Sequence, residues 1–341
     1  MKKYNFLTLM VFATLALVSC SNDDNGDDDG QTANLESQVY ATSNTDGNVR
    51  RYDNDDSGNT TTTTLITLSS DSEGIYYDES SDQVTQASRS LLQLNTYADA
   101  SITPDGVTIE VTASSSIDLV SPRDIAVNGN IYVVADNADV DGDPNTADGR
   151  FFVYTKSGSN FTLRNTVTVD FAVWGIEFVG NDLYAVVDKT SDIAVFTNFT
   201  ATNTTDATVA ASKRITIEGI VRTHGIAFDG GTMILTDVGE ASSDIDGAFH
   251  VITDFETKFN AVADGGTMAL AGNQTRVSGA LTLLGNPVSA DFDSTTNTVY
   301  IAERANGGGR VLSYTDIGTG GNVGPTLNAT LSGASSVYFT R

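Results

Sequence analysis

The chain repeats itself, and the repeat limits the folds that it can adopt. Four segments each consist of an apolar strand, a polar turn and a second apolar strand: "RDIAVNGNIYVVADNA", "WGIEFVGNDLYAVVDKT", "HGIAFDGGTMILTDVGE" and "VSADFDSTTNTVYIAERAN". A fifth, "EGIYYDESSDQVTQASRS", is a weaker copy. The second residues of these segments, Gly74, Asp124, Gly175, Gly225 and Ser289, are 50, 51, 50 and 64 residues apart. Such a period is typical of repeat folds such as solenoids and propellers.

Each copy continues with two more strand-like runs, for example "DIAVFTNF" and then "SKRITIEG". No window shows helical periodicity with caps, so the sequence predicts an all-β fold. Four strands per repeat predict a β-propeller of four-stranded blades. The chain ends in "GASSVYFTR", which matches a first strand, while "SQVYATSNTDGNVRRYD" near the start matches a second and third strand. We therefore expect six blades, with the ring closed by the C-terminal strand joining the N-terminal blade. An open pair of β-sandwiches is the alternative.

The pattern "GIAFD…LYVVD…V" resembles that of NHL-type, YncE-like and SMP-30-like six-bladed propellers over residues 38–341. This resemblance implies the fold but not the function, because propellers host unrelated activities. SMP-30-like lactonases hold a divalent ion with acid and Asn ligands at one mouth of the channel. In this sequence the corresponding set would be Glu73, Asp188, Asp237 and His224, of which only Glu73 matches an acid entering a first strand.

The N-terminus has the pattern of an exported lipoprotein. Lys2 and Lys3 precede an apolar run, residues 6–18, that is too short to span a membrane comfortably. The following "LVSC" resembles a lipobox, which implies a signal peptide over residues 1–19 and acylation of Cys20, the only cysteine. An ordinary secretory signal is the alternative. The acidic tether, residues 20–37, contains "SNDDNGDDDG", which resembles the export signals of Bacteroidota surface lipoproteins.

We therefore expect an outer-membrane lipoprotein on the cell surface, held through its acyl chains alone. A solvated tether and a periplasmic location stay open as alternatives. The whole chain carries a net charge of −26; without the signal, 18 − 2 = 16 basic residues face 44 acids, or −28. Such acidity argues against nucleic acid and anionic lipid headgroups as partners, and is compatible with divalent cations and with neutral or cationic partners. We expect the propeller to be monomeric.

Propeller geometry predicts one site. The residues just before a first strand and just after a second strand should ring the same mouth of the channel. The ring would include the only tryptophan, with an acidic arc facing two arginines. The predicted ligand-binding residues are Glu73, Arg89, Arg123, Asp136, Trp174, Asp188, His224, Asp237 and Arg304. Trp174 is the expected stacking anchor. The alternative is structural, since an acid after a strand often caps a turn through backbone N–H groups.

The loop "NADVDGDPNTAD" after the strand that ends at Asp136 has the spacing of a calcium-binding loop. Positions 1, 3, 5, 7, 9 and 12 carry oxygen ligands: Asn137, Asp139, Asp141, Asp143, Asn145 and Asp148. The loop departs from EF-hands in its first residue, in Asp at position 12, and in its flanking strands. Weak structural Ca²⁺ binding is one expectation, and a solvated acidic hairpin is the other.

The leading functional hypothesis is an envelope-anchored binding protein that docks a protein, peptide or glycan at the mouth. A metal-dependent hydrolase at the same mouth and a structural component of an envelope complex are the alternatives. We predict no catalytic residues. There is no G-x-S-x-G motif, and His250 lies in an apolar strand where a core position is expected.

Overall fold

The structure, a computed structural model, describes residues 35–55, 59–315 and 317–341. The predicted signal peptide, Cys20 and most of the tether lie outside the described residues. Among the described residues, no helix is long and apolar enough to cross a membrane.

The described residues form 27 short strands. From the start of the chain they are Leu35–Ser43 (β1), Val49–Asp55 (β2), Thr60–Ile66 (β3), Ser72–Asp78 (β4), Gln83–Ser88 (β5), Gln93–Ala98 (β6), Val107–Thr108 (β7), Val111–Ser114 (β8) and Pro122–Asn128 (β9). Next come Ile131–Asp136 (β10), Gly149–Ser157 (β11), Asn160–Val169 (β12), Val173–Val179 (β13), Asp182–Val187 (β14), Asp192–Phe196 (β15), Ala207–Thr208 (β16), Lys213–Ile217 (β17) and Ile226–Asp229 (β18). The last are Thr232–Asp237 (β19), Ala248–Ile252 (β20), Thr267–Met268 (β21), Thr275–Ser278 (β22), Pro287–Asp293 (β23), Thr298–Glu303 (β24), Arg310–Tyr314 (β25), Leu327–Thr330 (β26) and Ala334–Thr340 (β27).

The strands pair into antiparallel groups of four, as the repeat predicts. The groups are β27-β1-β2-β3, β4-β5-β6-β8, β9-β10-β11-β12, β13-β14-β15-β17, β18-β19-β20-β22 and β23-β24-β25-β26. Two of them join through a parallel pairing of Ser114 with Asn160, and with β16, which pairs with β12, they make a nine-stranded sheet. The two-residue strands β7, β16 and β21 each pair with the outer strand of a preceding group. We call the first strand of each group its inner strand, and the end where inner strands begin the mouth end.

The C-terminal strand pairs with the N-terminal one. In the antiparallel register of β27 with β1, Thr340 faces Gln38 and Ala334 faces Ser43. One group thus combines β27 with β1, β2 and β3. This pairing also orients β1: it begins away from the mouth end and finishes there.

Packing between groups buries the apolar faces. Each hydrophobic cluster draws on two neighbouring groups, so each group has a partner on both sides. For example, Phe151 of β11 packs with Phe196 of β15, and Tyr52 of β2 shares a cluster with Tyr300 of β24. Because neither face of a single group is polar enough to face water, stacking is what stabilises the fold.

Glycine is required where inner strands approach each other. A Cβ on Gly175 would lie 2.3 Å from the carbonyl oxygen of His224, and one on Gly225 would lie 2.8 Å from Cα of Ser289. The N–H of Gly175 donates to that same carbonyl oxygen at 3.0 Å. The repeated glycine of the sequence pattern therefore allows backbone-to-backbone contact between groups.

Two short α-helices, which the sequence did not predict, follow third strands: Phe199–Thr202 (α1) and Phe255–Ala261 (α2). They bury Phe199, Phe255 and Phe259 against the clusters between groups. One or two turns are too short to show helical periodicity, so packing rather than propensity accounts for them. Short 3₁₀ turns occupy Ala280–Thr282 and Asn306–Gly308.

Candidate functional site

The nine predicted mouth residues flank the mouth ends of strands. Glu73, Arg123 and Trp174 lie in the first residues of β4, β9 and β13, and His224 lies two residues before β18. The other five end or directly follow second strands: Arg89, Asp136, Asp188, Asp237 and Arg304. The hairpin register that the repeat implies thus places all nine at one end of their groups.

Glu73 lies at the centre of a cluster of arginines. Its side chain is fully buried, and its Oε2 accepts a hydrogen bond of 2.7 Å from Nη1 of Arg123. Nη1 of Arg89 is 3.6 Å from the same oxygen, and Nη1 of Arg304, from a different group, is 3.9 Å from Oε1. Burial raises the pKa of Glu73, and the guanidinium groups of Arg123, Arg89 and Arg304 oppose that shift. A buried carboxylate is tolerated here because three cations from separate strand ends surround it.

Trp174 is enclosed between its neighbours. The imidazole of His224 stacks on the indole at a centroid distance of 3.7 Å with the planes 2° apart. The guanidinium of Arg123 lies over the ring at 4.3 Å. Two groups this close cannot share one face of the indole, so both faces are covered, and the side chain is only 8 % exposed. Trp174 therefore connects the inner strands on either side of its own, and its faces are not offered to a ligand.

Asp188 continues this network. Its Oδ1 lies 2.9 Å from Nη2 of Arg222 and 3.1 Å from Nε2 of His224. Burial acts to raise the pKa of Asp188, but the hydrogen bond from His224 and the charge of Arg222 hold it below its usual range. Burial lowers the pKa of His224 to about 4, against the opposing effect of Asp188. At neutral pH the neutral imidazole donates from Nε2, and its buried Nδ1 has no partner among the described residues.

Asp136 and Asp237 accept hydrogen bonds from backbone N–H groups of loops. This is the structural role that was the alternative to ligand binding. Oδ2 of Asp136 accepts from the backbone N–H of Val120 and of Ser121, at 2.7 and 2.8 Å. Oδ1 of Asp237 accepts from the N–H of Val221 at 3.0 Å and from two further backbone groups. In both cases the acid that ends a second strand fixes the loop leading into its own group.

The mouth residues do not assemble into a metal site. Among the described residues, three or more acid, His or Cys side chains converge closely enough to hold an ion only at Asp139, Asp141 and Asp148. The predicted hydrolase set is dispersed instead: Glu73 faces arginines, while Asp188 and His224 bond to each other. The repeat correctly predicts that the four residues of this set lie at one end of the fold. It does not predict their salt-bridge partners, such as Arg222, which pairs with Asp188.

Three of the six predicted calcium ligands do converge. Carboxylate oxygens of Asp139, Asp141 and Asp148 lie within 4.8 Å of one another in the loop between β10 and β11. Gly142 takes φ +82°, which permits the turn, and its N–H donates to Asp139. The other three predicted ligands make other bonds. Asn137 accepts from Ser121, and Asp143 accepts from the side chain of Asn145.

A cavity of about 300 Å³ lies among the inner strands, and all six of β4, β9, β13, β18, β23 and β27 contribute to its lining. None of the nine mouth residues lines it. Four acids do: Asp124, Glu177, Asp229 and Asp291. Strand periodicity does not identify them as a site, although an acid inside an otherwise apolar inner strand, as in "WGIEFV" and "VSADFD", is a signal that the sequence contains.

Three of these carboxyl groups have strongly perturbed acidity. Burial raises the pKa of Asp124 and of Asp291 to about 7, although each accepts two backbone N–H bonds that act to lower it. Burial, together with the nearby charges of Asp291 and Asp124, raises the pKa of Glu177 well above its usual range. Desolvated like charges facing each other destabilise the ionised forms, so these groups resist ionisation at neutral pH.

Replacing Glu177 should therefore make the stability of the protein less dependent on pH. A raised folded-state pKa contributes stability below the ordinary pKa of a glutamate, and this contribution is lost as pH rises through the folded-state value. We expect Glu177→Gln to match the wild type near pH 4 and to gain about 1 kcal/mol or more in free energy of unfolding by pH 8. Urea titrations across pH 4–8 measure this. Glu256→Gln, at an exposed acid of α2, is the matched control and should show no such trend. An equal or falling stability of Glu177→Gln at pH 8 would contradict the assignment.

No family model and no curated protein matches this chain. Several solved structures do. One, from a nidogen/laminin complex, has a TM-score of 0.59 at 11% identity, covering 89% of this chain and 97% of that one. A protein from Bacteroides fragilis, provisionally assigned as a 6-phosphogluconolactonase, has a TM-score of 0.55 at 10% identity, covering 92% and 100%. A WD40 β-propeller domain has a TM-score of 0.49 at 12% identity, covering 89% and 82%.

At these identities the likeness concerns the fold alone. The alignment with the structure from the nidogen/laminin complex spans most of both chains. Together with the antiparallel groups of four strands, it confirms the all-β, propeller-type fold that the repeat predicts.

Proposed function

We propose that this protein is a six-bladed propeller of the cell envelope, similar to the NHL, YncE and SMP-30 group, that binds a protein, peptide or glycan at its mouth. Counting the two halves of the nine-stranded sheet separately gives six four-stranded blades. The pairing of β27 with β1, and the cluster that joins this blade to β23–β26, support a closed ring.

The observation that carries the binding proposal is the distribution of exposed apolar side chains. Among the described residues eight large hydrophobic side chains are exposed. Six of them, 54–72 % exposed, lie in loops that enter an inner strand or join a second strand to a third: Leu68, Ile117, Val120, Val221, Ile245 and Leu281. Both kinds of loop belong to the mouth end. We call these six side chains the apolar rim. Exposed apolar groups collected on one face are typical of an interaction surface.

Part of the apolar rim is held in place. Val120 and Val221 are equivalent residues of two blades, and Asp136 and Asp237 bond to their backbone N–H groups. These acids therefore support the rim rather than contact a ligand. Arg304, whose side chain is 40 % exposed, is the most accessible charged member of the predicted mouth. A partner would meet Arg304 and the apolar rim, because Trp174 and His224 are buried beneath.

The membrane is the expected partner at the N-terminus. We infer attachment through acyl chains on Cys20, which lies outside the described residues. This arrangement is compatible with display on the cell surface, and equally with a periplasmic orientation.

The hydrolase alternative has less support. A lactonase assignment belongs to the Bacteroides fragilis protein, and at 10% identity it does not extend to this chain. In this chain Glu73 is neutralised by arginines, and an ion would have to displace them. We therefore retain binding as the function that the geometry supports best.

Removing the apolar rim should abolish binding. Peptides from a random phage-displayed library and a panel of immobilised polysaccharides serve as probes, selected first on the wild-type protein. The triple variant Leu68→Ser, Val120→Ser, Val221→Ser should bind the selected probes at least about tenfold more weakly, because each loses apolar contact area. The double variant Ile102→Ser, Val107→Ser removes the two exposed hydrophobics outside the rim and should bind normally. If only the double variant lost binding, the hypothesis that the ligand binds at the mouth would be contradicted, and the scaffold alternative would be favoured.

A second proposal concerns Asp139, Asp141 and Asp148, which we infer to be a weak structural calcium site. Three carboxylates with no basic residue bonded to them suit a hard cation that takes oxygen ligands. Asn137, Asp143 and Asn145 would complete the shell only after exchanging their present hydrogen bonds. The ion would fix the loop above the mouth.

Calcium should then raise the melting temperature. At a hundredfold excess over Kd the gain is about 2.7 kcal/mol, which corresponds to several degrees for a domain of this size. Melting is compared in EDTA and in 10 mM Ca²⁺. The effect should vanish in Asp139→Asn, Asp141→Asn and persist in Glu240→Gln, Asp244→Asn, which alters an acidic loop without the spacing. An identical response of both variants would reject the site.

A further inference from the structure

The central cavity differs from the mouth in its charge. At the mouth, Glu73 is surrounded by three arginines. In the cavity the lining contains four acids and no lysine, arginine or histidine. The charges near Asp124, Glu177 and Asp291 belong to other acids, and they raise the pKa values of these three groups. The acids outside the three are Glu73, Asp229 and Asp293. Carboxyl groups that oppose one another's ionisation favour a bound cation, because the cation stabilises their ionised forms.

Glu177 gives an independent indication of a ligand. Its side chain lines the cavity, is partly exposed, and among the described residues has no hydrogen bond or ion pair with another side chain. The backbone N–H of the adjacent Phe178 acts to lower its pKa. By contrast, Asp124 also accepts from Ile176 on the neighbouring inner strand, at 2.9 Å. Asp291 accepts from Phe339 in the same manner, at 2.6 Å. Glu177 thus makes no such contact between blades and projects an unpaired carboxyl group into the cavity.

The cavity acids do not form a compact metal site. Among the described residues, no three of them bring ligand atoms within 4.8 Å of one another. They lie at different depths instead. Asp124 is the second residue of its aligned inner-strand segment, Glu177 and Asp291 are the fourth, and Asp229 is the sixth and is exposed at the end away from the mouth. With a rise of about 3.3 Å per residue, the acids are distributed over roughly 13 Å of the channel axis.

Aromatic and aliphatic residues stand beside the acids in the cavity lining. The aromatic ones, which also pack in the clusters between groups, are Tyr76, Phe228, Phe292, Tyr338 and Phe339. Such rings attract ammonium groups through their faces and pack against methylene groups. Carboxylates spaced along an axis with apolar surface between them match a molecule that has ammonium groups separated by short alkyl chains.

From this arrangement we propose that the cavity binds a small linear diamine or polyamine, which enters from the end opposite the mouth. Its ammonium groups pair with Glu177, Asp291 and Asp229, and its methylenes contact the aromatic rings. A volume of about 300 Å³ is at the lower limit of ligand pockets, which suits a molecule of this size. The site is separate from the apolar rim, and this inference goes beyond the proposed mouth function.

Calorimetric titration of the purified protein with spermidine and with 1,4-diaminobutane tests the proposal, at pH 8 and 0.15 M salt to suppress nonspecific attraction. We expect saturable one-to-one binding of at least one of them. Glu177→Gln should weaken it at least about tenfold, whereas Glu256→Gln, the same substitution at an exposed acid, should change it less than twofold. The neutral 1,4-butanediol should not bind. Glu177→Gln should fold well, since it removes an unpaired charge.

Three results would overturn the proposal. Equal affinities of Glu177→Gln and Glu256→Gln would mean that the amine binds the acidic surface in general. Binding of the diol as tightly as the diamine would indicate a polyol site. No binding of either amine would reject the ligand class. The triple variant of the apolar rim should retain amine binding, so failure of the mouth hypothesis and failure of this one are distinguishable.

Discussion

The mouth end of this propeller depends on the pairing of Glu73 with arginines from other strands. A fully buried carboxylate pays a large desolvation cost unless cations are fixed around it. Arg123 comes from the next inner strand, Arg304 from a blade on the far side of the N-terminal one, and Arg89 from the end of β5, which pairs with Glu73's own strand. These contacts bring three blades together at the axis. They require each inner strand to begin at the same level, which the glycine contacts between strands permit.

The arginine cluster has two consequences for function. Through Arg123 it continues to Trp174, His224 and Asp188, so the centre of the mouth is filled with mutually bonded side chains. A partner at this end would therefore meet the surrounding loops and not a deep pocket. The arginines of this cluster pair with Glu73, and no basic residue lines the cavity that contains Asp124, Glu177 and Asp291. We therefore propose two different binding surfaces, the apolar rim and the acidic cavity.

The sequence predicted the architecture well because the repeat contains its physical causes. Alternating apolar residues specify strands, polar turns specify hairpins, and the spacing aligns their ends, so residues as distant as Glu73 and Arg304 could be placed on one face. It did not predict that Trp174 is covered on both sides, because coverage depends on side-chain direction in neighbouring blades. The channel acids were missed for a similar reason: strand periodicity does not distinguish a core face from one lining a cavity. In the acidic loop, spacing brought together Asp139, Asp141 and Asp148 but not Asn137, which bonds to Ser121 instead.

A double-mutant cycle between Glu73→Gln and Arg123→Gln tests the central claim most directly. The pair Asp46 and Arg50 has the same 2.7 Å separation but is less buried, with side chains 37 % and 19 % exposed, and is the reference. For a buried pair that organises the mouth, the coupling free energy of unfolding should be about 2 kcal/mol or more. The less buried pair should give about 1 kcal/mol or less. A Glu73–Arg123 coupling no larger than that of Asp46–Arg50 would contradict the account.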